Sequence, residues 1–247
     1  MTDQTHPSSG MMSDEDLAQL RIDMAAAFQL TVAFGWHESV GNHFSAAVSS
    51  DGKSFVMNPK WVHFSDVTPD NLLLLNADDP DTMTRPDAPD ASAWCIHGSV
   101  HRMLPKARVL LHLHPPYATA LAGLKDPRIY PIDQNTARFY HMAIDDQFGG
   151  MADDDAEGIR IAEAFGDASV LLLRNHGVAV TANTVAEAFE LMYFFERAAK
   201  TLMLAYASGQ PLDIMPDAIA ESTARSWDDY AGASFKHFEF LKRSIGM

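Results

Sequence analysis

Apolar residues along this chain recur with helical spacing near both ends and gather into short extended blocks between them. Ser13, with Asp16 three residues later, marks a helix start in which Asp replaces the usual Glu or Gln of a capping box. That helix is predicted to run to about Phe34 and to close at Gly35. His43 to Met57 alternates around Ser50-Asp51-Gly52, a hairpin signal. Asn71 to Asn76 reads as a short strand, and Ala77 to Asp90 as an acidic, proline-bearing loop. Ser92 opens a helix to Met103, stopped before Pro105. Val109 to His114 is an apolar run cut off by Pro115-Pro116, as a buried strand would be, and a short helix follows around Tyr117 to Leu124. A helix over Asp155 to Phe165 precedes a second apolar strand, Ser169 to Arg174. Thr184 and Glu187 form a capping box for a long helix whose apolar stripe persists to Ala207, before Gly209 and Pro211. Met192, Tyr193, Phe194 and Phe195 on it read as core or interface. A last helical stretch spans about Tyr230 to Arg243. With no internal repeat or linker, the pattern predicts one α/β domain over residues 13–247, helices flanking a central sheet, behind a disordered tail at residues 1–12.

The candidate chemistry lies at the ends of the two apolar strands. Residues i and i+2 of a strand point to the same side, about 6–7 Å apart. His112 and His114 can therefore share one metal ion. His176, in Arg174-Asn175-His176-Gly177, follows the second apolar run at a turn. Two strands ending side by side would bring the three imidazoles together and leave a coordination position open. His97 and His101, spaced i, i+4 on a helix, face one direction. They read more simply as packing or supporting residues than as a second metal site.

Charge narrows the partners. The 247 residues carry a formal net charge of −15, which argues against nucleic acid or an anionic membrane surface. A small anionic substrate remains compatible, because a metal and a few cationic side chains can dominate a local site. The single cysteine, Cys95, permits no internal disulfide and suits a reducing compartment. Met1 to Met12 lacks the apolar core of a signal peptide, and no segment has eighteen uninterrupted apolar residues. A cytoplasmic protein is the expectation.

Several ordered pieces together resemble the class II aldolase/adducin family, which includes fuculose-phosphate aldolase and ribulose-phosphate epimerase. The resemblance covers about Asp16 to Ser208. Val40-Gly41-Asn42-His43-Phe44-Ser45 is similar to the family's Gly-Asn loop, and Thr68-Pro69-Asp70 to its Thr-Pro turn. Ser92-Ala93-Trp94-Cys95-Ile96-His97 resembles the segment carrying its catalytic carboxylate. His112-Leu113-His114 and Asn175-His176-Gly177 resemble its metal ligands. The resemblance implies a three-layer α/β/α sandwich with a central, mainly antiparallel sheet, and usually a cyclic homotetramer with active sites at subunit interfaces. It makes His112, His114 and His176 the ligands of a zinc ion, with Mn2+, Fe2+ or Co2+ as alternatives. Asn42 and Ser92 become substrate contacts.

Two departures shape the functional expectation. Family aldolases carry a glutamate before the tryptophan of the Ser-x-Trp segment, whereas this chain has Ala93, which transfers no proton. Where phosphorylated-sugar members place a small hydroxyl residue and glycine, Lys60-Trp61 stands here. Trp61 would crowd a phosphate, and Lys60 would favour another anion, such as a carboxylate. Replacement proton carriers are sought in Ile132 to Tyr140: Asp133 as acid/base, Tyr140 as proton donor, and Arg138 as an anion clamp. The competing reading makes Asp133 a helix cap and Arg138 a surface ion-pair partner. Trp227 and Tyr230 read as packing residues that could also reach a neighbouring subunit's site. The expectation is a divalent-metal-dependent lyase performing aldol cleavage or decarboxylation on a small, oxygenated carbonyl compound. The alternatives are a non-catalytic, adducin-like binding protein and an iron-dependent oxygenase on the same fold.

Overall fold

The computed structural model describes residues 10–151, 154–230 and 232–247. Helix α1 (Asp14–Ala33) starts at Ser13, whose side chain accepts from the Asp16 backbone N–H; Ser13 Oγ in turn donates to Asp16 Oδ2 at 2.6 Å. Asp is too short to close the reciprocal half of a capping box, so the two side chains pair with each other instead. Strands β1 (His43–Ala47) and β2 (Ser54–Met57) form the expected hairpin, its turn made possible by the left-handed φ of +81° at Gly52. Strand β3 (Leu73–Asn76) pairs with β2, and the acidic loop follows it. Helix α2 (Ala91–Met103) is capped by Asp90, whose carboxylate accepts the Ser92 N–H. Then come β4 (Val109–Leu113), α3 (Pro116–Ala122), α4 (Gln134–Ala137), β5 (Ala143–Asp145), α5 (Asp155–Phe165), β6 (Val170–Leu173) and β7 (Gly177–Ala182). The long α6 (Val185–Ala207) opens with the Thr184/Glu187 capping box, and α7 (Asp217–Ser226) and α8 (Ala233–Ser244) end the chain.

Among the described residues the strands form one mixed sheet in the order β3-β2-β1-β4-β7-β6-β5. Strands β5 and β6 run parallel, and the other neighbours are antiparallel. Successive strand residues serve opposite faces. On one face Val109, Leu111, Leu113, Val178 and Val180 pack with Phe28 of α1, Leu121 of α3 and Phe189, Met192 and Phe195 of α6. On the other, Leu110, Leu171, Leu173 and Ala179 meet Ile96 and Val100 of α2 and Ile161 and Phe165 of α5. Helices α2 and α5 approach closely because Gly158 has no side chain. A Cβ there would lie 2.2 Å from the Cys95 carbonyl oxygen.

The topology corrects one expectation. The two apolar strands β4 and β6 do not end side by side, because β7 lies between them. His112 is registered against Ala179 of β7, so the β6–β7 turn, with His176 in it, sits at the C-terminal end of β4. Strand β7 is apolar and begins at the turn glycine itself, Gly177, which masks its start in the sequence. Helix α4 and strand β5 are too short for any periodicity to show, and α7 buries only Ala220 and Ala224. At the N-terminus, residues 1–9 of the expected tail lie outside the described residues. Residues 10–12 are attached rather than loose: Met11 bridges Ser49 and the Met12 N–H donates to Val48 O at 2.9 Å. No helix among the described residues is long and apolar enough to cross a membrane.

Candidate metal centre

His112 is the last but one residue of β4, His114 follows the strand, and His176 occupies the β6–β7 turn. Their Nε2 atoms converge: His112 Nε2 lies 3.1 Å from His114 Nε2 and 3.2 Å from His176 Nε2. All three candidate ligand atoms fall within 4.8 Å of one another. In a tetrahedral site with bonds of about 2.0–2.1 Å, ligand nitrogens stand roughly 3.3 Å apart. The arrangement is therefore already near the dimensions a divalent ion requires.

The outer nitrogens support the same reading. His112 Nδ1 lies 3.2 Å from the Val178 carbonyl oxygen, and His114 Nδ1 lies 2.5 Å from Glu38 Oε2. A carbonyl and a carboxylate accept, so each Nδ1 carries the proton and each Nε2 turns a lone pair inward, the outer-shell arrangement of metal-binding histidines. Burial, reinforced by the neighbouring imidazoles, holds His112 well below the ordinary histidine range. Burial and His114 bring His176 to about 4, against the opposing pull of Asp145, Glu157 and Glu38. His112 and His176 are therefore neutral near pH 7 and need not lose protons to ligate. Gly177 permits the approach, since a Cβ there would stand 2.5 Å from His114 Cδ2 and from Leu113 O. The donor set fits a divalent metal ion held by His112, His114 and His176.

A cavity of ≈ 550 Å³ opens over the triad, lined among others by Asn42, His43, Lys60, Trp61, Ser92 and Ala93. Asn42 has a left-handed φ of +71°, and its side-chain Oδ1 and Nδ2 are buried without partners. Buried polar groups are normally paired, so this amide is available for a ligand. Asn58 steadies its loop, accepting from the Phe44 N–H at 3.1 Å and donating to Asn42 O at 3.5 Å. Lys60 Nζ stands 4.0 Å from Asp90 Oδ2 and 4.4 Å from the Trp61 ring centre. Trp61 is 72% exposed and forms the rim rather than filling the cavity. Ser92 Oγ donates to Asp90 Oδ1 at 2.8 Å, so its proton is committed to the α2 cap. Ala93 presents only a methyl group.

The structure sets Asp133, Arg138 and Tyr140 apart from this cavity within one chain. Asp133 caps α4 in a capping box with Thr136, and its Oδ1 accepts the Thr136 N–H at 2.7 Å. Arg138 lies in a separate cleft between the rings of Phe194 and Trp227, at 4.9 and 4.6 Å, with Nη1 buried and unpartnered. Tyr140 faces Asp217 of α7. Trp227 donates from Nε1 to Gln134 O at 3.0 Å, and Tyr230 is 65% exposed. His97 and His101 do not form a second metal site, because Ser45 Oγ bridges them at 2.5 and 2.7 Å. His97 Nε2 in turn meets His43 Nδ1 at 2.8 Å, and the His43 and His112 ring centres are 4.9 Å apart. Burial lowers both His43 and His101 to about 3. Glu38, His43 and Asn58 were not singled out from the sequence. The β1–β4 register that faces His43 with His112 is the signal that finds one of them.

This geometry defines an α/β protein equipped to hold a divalent metal ion with one side open to a polar cavity. The chain belongs to the class II aldolase/adducin family: the Class II Aldolase and Adducin N-terminal domain matches residues 22–203. An adducin-related protein of Schizosaccharomyces pombe is 28% identical over 242 residues, spanning 94% of this chain and 72% of that protein. Two solved structures share the fold. An aldolase II superfamily protein from Pseudomonas syringae superposes with a TM-score of 0.80 at 24% identity, covering 98% of this chain and 95% of that one. L-fuculose 1-phosphate aldolase from Glaciozyma antarctica PI12 gives 0.77 at 21% identity, covering 97% and 96%.

Proposed function

We propose that this protein is a divalent-metal-dependent carbon–carbon lyase acting on a small carboxylate-bearing hydroxy or keto compound. The observation that carries the reading is the convergence of three imidazoles, two of them anchored through their outer nitrogens, on a cavity containing an unpartnered amide. When bound, a divalent ion supplies Lewis-acid polarisation of a carbonyl or hydroxyl oxygen. Zinc is the ion proposed first, since three imidazoles with an open position match its catalytic sites.

The chain's own residues bind and orient. Asn42 offers both a donor and an acceptor at the cavity wall. Lys60 supplies positive charge for a carboxylate, its attachment to Asp90 being a loose contact at 4.0 Å. Ala93 moves no proton, which favours decarboxylation over aldol cleavage, because loss of carbon dioxide needs an electron sink more than a base. Arg138 and Tyr140 can reach a triad only from a neighbouring subunit. Their proposed roles as anion clamp and proton donor therefore rest on assembly into a homotetramer. The acid/base role proposed for Asp133 rests on release from its cap. A cytoplasmic location belongs to the same proposal.

Ala93, together with the adducin-related relative, favours a second reading: a non-catalytic binding protein that keeps a structural metal. Screening the Zn2+- and Mn2+-loaded protein against small β-keto and β-hydroxy acids separates the two. The lyase reading expects turnover that His112→Ala abolishes while the far-ultraviolet circular dichroism is unchanged. Metal binding without turnover of any such acid would favour the binding protein.

A further inference from the structure

A chain of buried side chains ends at the cavity. His101 Nε2, Ser45 Oγ, His97 and His43 are linked by contacts of 2.7, 2.5 and 2.8 Å, all inside the layer between α2 and β1. His97 and His101 are fully buried, and among the described residues no carboxylate hydrogen-bonds to any of the three imidazoles, Asp90 acting on His43 only through space. All are therefore neutral, each with one N–H and one lone pair. His43 lines the cavity, and its Nδ1 is taken by His97, which leaves Nε2 without a partner among the described residues. It is not a fourth ligand: among the described residues only His112, His114 and His176 converge within 4.8 Å. Ala93 and His97 sit one turn apart on α2, and Ala93 lines the same cavity as His43.

A neutral chain of this kind has two consistent polarities. In one, His43 Nε2 turns a lone pair to the cavity; in the other it turns an N–H. Carboxylate and other oxyanion oxygens only accept, so such a ligand selects the second. Then His97 Nε2–H donates to His43 Nδ1, Ser45 O–H to His97 Nδ1, and His101 Nε2–H to Ser45 Oγ. The chain ends at His101 Nδ1, which is buried without a hydrogen-bond partner of full geometry. The nearby Gly52 carbonyl can only accept and so favours an N–H there, and the preference for the second polarity comes from the oxyanion at the other end of the chain.

We propose that His43 is a specificity-determining residue of this centre, its Nε2–H donating to an oxyanion oxygen of the substrate beside the triad while the His97–Ser45–His101 chain holds its ring and tautomer. The inference rests on the metal reading above. A preorganised donor aimed at a developing or fixed negative charge is the kind of group a dry site uses to discriminate. It supplies a polar contact where Ala93 supplies none, without transferring a net proton.

Cobalt(II)-loaded protein tests it through its visible absorption. Glycolate is the oxyanion probe, and imidazole, which carries no oxygen, is the control ligand for the open position. His43→Phe keeps a ring against His112 and removes the donor. The expected result is Co2+ uptake and imidazole affinity within about threefold of wild type, and glycolate Kd raised about 10- to 100-fold, as loss of one charge-assisted hydrogen bond gives. Ser45→Ala retains His43 but breaks the chain, and a smaller rise of severalfold is expected with the imidazole control unmoved. Glycolate affinity unchanged in the variants that take up Co2+ would overturn the proposal while leaving the metal reading intact. Failure of wild-type protein to take up Co2+ would instead overturn the metal reading, and this inference with it.

Discussion

At the residue scale, Gly177 is where backbone and chemistry meet. Its missing Cβ leaves the 2.5 Å of room in which His114 sits against the β6–β7 turn. Gly177→Ala is expected to push His114 off the common centre and weaken divalent-metal affinity at least tenfold, with secondary structure retained. Metal titration followed by absorption, beside circular dichroism, checks it. Single residues were also where the sequence was most and least legible. The i, i+2 spacing of His112 and His114 is dictated by the strand and could be read directly. Glu38 could not, because it reaches His114 from a loop 76 positions earlier that has no periodicity. Asp133, Arg138 and Tyr140 were read as chemistry because their types suit it. The Thr136 N–H claims the carboxylate of the first, and two aromatic rings enclose the second.

Elements set the distances between such residues. Helix α5 lies on α2 across Gly158, and a methyl group there would meet the Cys95 carbonyl at 2.2 Å. Gly158→Ala is expected to cost about 1–3 kcal/mol as the helices are forced apart, seen as a lowered denaturation midpoint. The layer between α2 and β1 carries a pH dependence. Burial, with a contribution from Arg108, puts His101 at about 3 in the folded state, below the ordinary 6.5 it has when unfolded. The unfolded chain therefore takes up a proton that the native one refuses. Stability falls as pH drops from about 6.5 toward 3, by roughly 1.4 kcal/mol per pH unit for one such group. Urea unfolding at pH 6.5 and 5.5 should show His101→Phe losing about 1 kcal/mol less over that interval than wild type, because the unfolded histidine is already half protonated at pH 6.5. Equal slopes would contradict the neutral, buried state of His101. Long elements with caps, α5 and α6 among them, were legible from sequence because their signals are local. Strand β7 was not, and its place between β4 and β6 is a tertiary choice that no local pattern records.

At the scale of the whole molecule, one mixed sheet carries the centre at the C-terminal end of β4, where the hairpin turn of β6 and β7 delivers the third imidazole. Family membership explains the fold, and the departures at Ala93 and Lys60-Trp61 are the ground for proposing a carboxylate rather than a sugar phosphate as substrate. The account stands on the three imidazoles binding a metal ion. The most direct test is the metal content of tag-free protein purified without added metal, beside His112→Ala/His114→Ala protein of the same fold. The account predicts close to one divalent ion per chain in the first and almost none in the second. Protein that holds no metal and takes up none on titration, or a double variant that binds as wild type does, would contradict it.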